Sequence, residues 1–303
     1  MLDLRRLEIL LRFAARGTIA ATAADLGYSP SAVSQQLAAL EREAGVALLE
    51  RTAQRASLTD AGRELAEHAE RILAAVETAG SRMRARAGAV GGRVTVSCLP
   101  TLAAVLAPRL AALRRRHPEL TVIAHETGST TAAAGVLDRR YDLAVIDDWS
   151  PDKPTGSAGL SVHHLRREDV VLAVPADHAP AERGDRATAA RLRQVVRDQT
   201  WLCAPVGQLS RAAGDLRLAA ADAVPRQRWE FEGLHVLAAL VASGAGVAFL
   251  PAGVARDQPG VAWLPLVPRM RRHVLALTRT TTRDDPAVAA CLQAVRQALG
   301  TQG

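Results

Sequence analysis

Between Ser29 and Gln35 the chain sets hydroxyls and amides around a single proline, with Ser29, Pro30, Ser31, Ser34 and Gln35 as the polar or helix-starting members. Serine and glutamine side chains can hydrogen-bond to base edges, and a proline in the first turn of a helix forfeits no intrahelical bond. Arg51 and Arg55 follow beyond a short apolar run. Guanidinium groups on such a projection suit phosphate oxygens or the minor groove. A second set lies later in the chain. Thr101, Ser129 and Thr130 can help hold an anion, Thr127 stands beside them, and Trp201, Cys203 and Phe231 offer two rings and a thiol for an apolar portion. Each also has an ordinary reading, the hydroxyls as helix caps and the rings as core.

Catalytic and metal chemistry find less support. Eight histidines include the pair His163-His164, but no HExxH or comparable ligand spacing occurs. Asp147-Asp148 could form an acidic site, although a strand end running into a solvated loop explains the pair more simply. Neither a Gly-x-Gly-x-x-Gly turn nor a phosphate-binding GxxxxGK[ST] loop is present. Cys98, Cys203 and Cys291 are widely separated, against both a disulfide framework and a structural zinc site. The expectation is no catalytic residue, no metal and no cofactor. An α/β enzyme, or a redox-responsive ligand-binding protein, is the alternative.

The 303 residues allow two or three domains, and 49% hydrophobic with 23% charged residues suits a folded globular chain. The formal net charge of +7 favours a polyanionic partner. Yet residues 1–90 hold 12 arginines against 11 acidic residues, so placement of charge, not its sum, must carry any nucleic-acid argument. No basic, apolar, cleavable segment opens the sequence, and the expected location is cytoplasmic. The apolar stretch from Gly233 to Ala255 contains three glycines and Pro251 after its first residue, so it reads as a buried helix and strand, not a membrane span.

Positioning the first set requires three short helices. Leu4, Leu7, Leu10, Leu11 and Ala14 share one face of a helix over 3–15, with Arg5, Arg12 and Arg16 nearer water. Thr18 caps a second helix over 19–25, and Ser29 caps a third over 30–44 that turns Val33, Leu37 and Leu40 inward. Two helices joined by a short turn make a helix-turn-helix, whose second member can enter the major groove. An ordinary helical bundle has the same periodicity. Residues 45–59 then read as two short strands around an exposed tip, a wing or a solvated hairpin. From Asp60 a long helix repeats Leu65, Ala69, Ile72, Val76, Ala79, Met83 and Ala87 at steps of three and four. Such a stripe needs a partner: the same helix of a second subunit, or the rest of its own chain.

Taken together, these residues resemble the LysR-type transcriptional regulators. The match is collinear through Leu4-Arg5-Arg6-Leu7, Ala23 to Leu26, Ser29 to Leu37, Leu40-Glu41, Gly45-Val46, Leu48 to Arg51 and Leu58 to Gly62. Two departures stand out: Pro30-Ser31 where the family usually has glutamine then proline, and Ala20 where it often has threonine or serine. The resemblance implies a multidomain chain: a winged helix-turn-helix (all-α with a small β wing) over 1–59 and a dimerising linker helix over 60–88. A two-lobed α/β effector domain over 91–303, similar to type 2 periplasmic binding proteins, would follow. Lobe I would take about 91–163 and 266–303, and lobe II about 164–265. The implied partners are double-stranded DNA, a second copy through Leu65, Ile72, Val76 and Met83, a tetramer beyond that, and an unidentified small-molecule effector.

The later sequence agrees with alternating strands and helices. Strands are expected at 93–98, 120–126, 141–147, 168–174, 201–203, 228–231, 246–250 and 273–278, with a return crossing at Trp263-Leu264-Pro265. Helices are expected from Pro100, Thr130, Gly207, Leu234 and Pro286. Ligands of open α/β sheets bind beyond the carboxyl ends of strands, which places Thr101, Thr127, Ser129, Thr130, Trp201, Cys203 and Phe231 around a cleft. Gly244 to Pro251 is the clearest family match in the second lobe.

Overall fold

A computed structural model describes residues 1–51, 56–150, 158–178 and 185–300. The chain divides into two units, Met1–Gly88 and Ala89–Gly303. The first contains α1 (Leu4–Arg16), α2 (Ile19–Leu26), α3 (Pro30–Ala44), β1 (Leu49–Arg51), β2 (Ala56–Leu58) and α4 (Asp60–Ala87). Every helix start is chemically marked. Asp3, Thr18, Ser29 and Thr59 accept hydrogen bonds from first-turn amides through their side chains, satisfying donors that the helix itself leaves unpaired. Leu7, Leu10 and Phe13 of α1 meet Val33, Leu37 and Leu40 of α3, with Leu48 and Ala69 closing the core. β1 and β2 pair antiparallel, Leu49 opposite Leu58.

Arg12 departs from the expectation of a watered position. It is 5% exposed and pairs with Asp25 at 3.3 Å, while Arg16 meets the other oxygen of the same carboxylate at 3.1 Å. The Arg12 head also lies 3.6 Å from Glu8 one turn back on α1, but Asp25 from α2 is the largely buried partner. Along α4, Ala66 and Ala69 are buried and Leu65 packs on the core. Farther on, Ile72, Val76 and Met83 are 38%, 47% and 58% exposed. An apolar stripe left this open favours a partner.

The second unit comprises β3 (Gly92–Cys98), α5 (Pro100–Arg116), β4 (Leu120–Glu126), α6 (Ser129–Leu137), β5 (Leu143–Asp148) and β6 (Leu160–Pro175). It continues with α7 (Ala189–Asp198), β7 (Trp201–Cys203), α8 (Leu209–Ala219), β8 (Arg228–Glu230), α9 (Leu234–Ala242), β9 (Ala248–Pro251), α10 (Ala252–Asp257), β10 (Val261–Arg279) and α11 (Pro286–Leu299). The main sheet is mixed, in the order β4-β3-β5-β10-β6-β9, and β7 and β8 form a small parallel pair. One core gathers β3, α5, β5 and α11 around Val96, Leu106 and Cys291; another gathers Leu172, Leu192, Trp201 and Phe249.

β10 is one strand where the sequence suggested a crossing and a separate strand. Val261 to Pro265 pair with Pro175 to Val171, and Met270 to Arg279 pair with Val170 to Leu160. The register shift between Pro265 and Met270 lets Pro268, which lacks a ladder donor, leave the pairing while the strand resumes beyond it. Local reading sees prolines and infers an end. β6 is correspondingly longer than expected, and α7 and α10 had no sequence assignment.

Candidate functional site

On α3 the ends of two capping interactions face outward. Pro30, Ser31 and Gln35 are exposed and Ser34 is half-buried, opposite the buried Val33 and Leu37. Ser29 Oγ accepts from the Ala32 amide at 3.2 Å and lies 2.9 Å from Ser31 Oγ. Hydroxyls therefore cluster at a helix amino terminus, where the helix dipole favours negative charge. The strand that leads to the wing is tied to the same helix: Glu41 Oε1 accepts from the Leu48 and Leu49 amides at 3.0 Å each. Thr59 Oγ1 donates to Ala47 O at 2.9 Å and accepts from the Gly62 amide at 2.9 Å. α3, β1 and α4 thus hold one another through short polar contacts. Arg51 ends β1. Arg55 lies outside the described residues.

In the second unit a cleft of about 570 Å³ opens where β3, β4, β5 and β7 end. Thr101, Thr127, Ser129 and Thr130 line it, together with Glu126, Asp147, Trp149, Gln208, Ser210, Glu232 and His235. Four helices, α5, α6, α8 and α9, begin at this cleft, and none of their cap residues, Leu99, Gly128, Gln208 and Gly233, supplies a side-chain cap. Pro100 has no amide hydrogen, and the Leu102 and Arg211 amides donate to Leu99 O and Gln208 O. The other first-turn amides, such as those of Thr101, Ser129 and Thr130, are left to face an anionic ligand group. Thr101 Oγ1 is buried without a hydrogen-bond partner among the described residues. Glu126 and Glu232 add acceptors for a cationic or donor group, and no arginine or lysine lines the cleft among the described residues.

Beneath the cleft runs a buried polar chain. Ser129 Oγ donates to Asp147 Oδ1 at 2.6 Å and accepts from the Asp147 amide at 3.0 Å. Asp147 Oδ2 accepts from Trp149 Nε1 at 2.8 Å and from Arg272 Nη1 at 3.3 Å, and Arg272 Nε donates to Glu168 Oε2 at 2.5 Å. Arg166 also bonds Glu168. Burial pushes the Arg272 guanidinium below its ordinary pKa, with Asp147 opposing that shift. Asp147, expected at a solvated strand end, is 9% exposed and holds Trp149 in place. The sequence shows an acid after an apolar strand; it does not show the arginine that arrives from β10.

Three expected cleft residues stand elsewhere. Trp201 is 2% exposed, packed edge-on against Phe249 with ring centroids 4.7 Å apart. It begins β7, whereas the cleft forms beyond the strand's carboxyl end at Ala204 and Gln208. Cys203 is buried, its Sγ 3.7 Å from Trp229 O and 3.6 Å from Arg211 Nη1. Phe231 is exposed and lies outside the cleft lining, although the following Glu232 belongs to it. All three thiols are buried, and burial raises the pKa of each, Cys291 to about 12. A raised pKa suppresses thiolate and leaves these cysteines poorly suited to redox sensing.

A helix-turn-helix with a β-wing pair, joined to an α/β domain with a cleft, defines a ligand-responsive DNA-binding regulator. Residues 4–63 match the family model for the bacterial regulatory helix-turn-helix protein, lysR family, and residues 87–300 match that for the LysR substrate binding domain. The chain belongs to the LysR family of transcription regulators. It is 31% identical over 262 residues to the nitrogen assimilation regulatory protein nac of Escherichia coli, covering 86% of this chain and 81% of that one. Among solved structures, a full-length OxyR variant from Pseudomonas aeruginosa matches with a TM-score of 0.66 at 22% identity, over 98% of this chain and 95% of that one. CbnR, a LysR family transcriptional regulator, matches at 0.51 and 27% identity, over 97% and 100%. The family settles regulator against enzyme.

Proposed function

We propose that α3 reads operator DNA through Ser31, Ser34 and Gln35. Ser29 and Pro30 set its amino terminus against the backbone, and Arg51 and Arg55 engage phosphate or the minor groove. The observation that carries this reading is the polar, outward amino-terminal face of α3, fixed by Glu41 to the strand that leads to the wing. Two copies pair through the open stripe of α4, with Ile72, Val76 and Met83 at its centre and Leu65 at its inner end, which presents two reading helices to two half-sites. Assembly to a tetramer follows through the second units. A small-molecule effector binds in the cleft at Thr101, Thr127, Ser129 and Thr130. It acts by binding one lobe arrangement more tightly than another. A DNA partner favours a cytoplasmic location. Among the described residues no helix is long and apolar enough to cross a membrane.

The test uses duplexes selected by the wild-type protein from a random pool. Gln35→Ala is expected to reduce discrimination between selected and mismatched duplexes by about 1–3 kcal/mol, and Ser34→Ala by about 1 kcal/mol. Arg51→Ala should weaken all duplexes alike and lower the salt slope by about one. Discrimination and salt slope unchanged in all three variants would remove this surface from the DNA interface.

A further inference from the structure

A second cavity, of about 720 Å³, opens in the Ala89–Gly303 unit between α8 and the paired strands β6 and β10. Its charged lining is one-signed: Arg167, Arg217, Arg269 and Arg271, with His164 and His273, and no aspartate or glutamate among the described lining residues. Strand geometry explains the convergence. Arg167 lies opposite His273 across the ladder, and Arg271 and His273 share one face while Arg272 between them turns into the core.

Among the described residues little neutralises this charge. Arg271 meets Asp169 at 3.3 Å near the surface, and no ion pair engages Arg167, Arg217 or Arg269 among the described residues. Arg217 Nη2 donates to Val267 O at 2.6 Å, but its Nε is buried without a partner among those residues. Burial lowers the pKa of His273; His164 and Arg167 from β6 and Arg271 from its own strand add to that effect, and only Asp148 from β5 opposes it. Four guanidinium groups around one concavity create a positive potential that an anion would offset, with Arg217 partly desolvated and Arg167 and Arg269 open to solvent. The planar forks match carboxylate or phosphate oxygens. Trp149, Leu216 and Met270 give the same cavity an apolar side, which a bare DNA backbone would not use.

We propose that this cavity binds a compact, multiply charged anion bearing carboxylate or phosphate groups, at a site separate from the cleft of Thr101 and Ser129. Trp149 lines both cavities and is their common wall. The site stands independently of the DNA-reading assignment.

Isothermal titration of the full-length protein with citrate and with inorganic pyrophosphate, at constant ionic strength in chloride, tests it. Saturable binding of one anion per chain is expected. Arg217→Gln and Arg167→Gln should each weaken it about tenfold or more. Thr101→Val in the cleft and Arg114→Gln on α5 should leave it unchanged. Preference for citrate or pyrophosphate assigns the carboxylate or phosphate source. Should Arg217→Gln lose its native circular dichroism, the exposed Arg167 and Arg269 carry the test as glutamine variants. The proposal fails if neither anion saturates the protein or if binding survives the arginine replacements. It also fails if Thr101→Val abolishes binding, or if the variants lose non-specific DNA affinity instead.

Discussion

Arg272→Met is expected to lower the unfolding free energy of the Ala89–Gly303 unit by about 3–5 kcal/mol, the usual cost of breaking a buried ion pair from one side. The guanidinium is 1% exposed and lies between Asp147 and Glu168. Removing it leaves two largely buried carboxylates short of counter-charge, Asp147 entirely and Glu168 with Arg166 alone. Asp147 also anchors Ser129 and the Trp149 indole, so the floor of the cleft loosens with it. Methionine fills comparable volume, which keeps the loss electrostatic in origin. Adding Glu168→Gln to the same chain should recover part of it, because one of the orphaned charges disappears. All four tryptophans, at 149, 201, 229 and 263, belong to this unit. Their fluorescence in urea therefore reports its unfolding separately from the amino-terminal unit. A loss below about 1 kcal/mol would show that the Asp147–Arg272–Glu168 chain is solvated and contributes little.

Gly62→Ala should destabilise the amino-terminal unit by about 3 kcal/mol, the upper part of the usual range for overpacking. Helix propensity alone argues the opposite sign, since alanine is about 1 kcal/mol better than glycine within a helix. Space decides the matter. A Cβ at residue 62 would stand 2.2 Å from Leu48 O and 3.1 Å from Leu58 Cδ2. Leu48 O is backbone and accepts from the Thr59 amide at 3.0 Å, so it cannot yield without opening the junction of α4 with the wing strands. Hydrogen exchange of amides in α1, α3 and α4 should lose protection together, and DNA affinity should fall with them. Increased protection would mean that α4 can ride outward from β1 and β2 at no cost.

The parts of this molecule that were legible in the sequence are those specified by near neighbours. Ser29-Pro30 and Gly45 punctuate α3, and the structure bounds it at Pro30–Ala44 as the sequence suggests. Thr59 marks the start of α4 in the same way. Contacts made across long sequence separations were not legible. Arg12 reads as a surface residue until Asp25 comes beside it from α2. Asp147 reads as a strand end until Arg272, far along the chain on β10, arrives to pair with it. Trp201 and Cys203 lie on a strand whose bounds the sequence indicates, but their side chains are buried and the cleft rim lies beyond Cys203, a burial that local sequence does not encode. Hydroxyls at helix starts fared better: Thr101, Ser129 and Thr130 follow short turns, and the open sheet puts such turns at its carboxyl edge. Gln208, Ser210 and Glu232 share that edge, and the position of α8 and β8 relative to the sheet is what brings them in.

Capture of genomic DNA bound by the intact protein in its own host tests the central claim most directly. Enrichment is expected at discrete sites, each with two related half-sites separated by about one helical turn or a multiple of it. Gln35→Ala should flatten that pattern while leaving the protein folded. Uniform coverage of the genome, or an identical pattern from the Gln35 variant, would contradict sequence reading by α3.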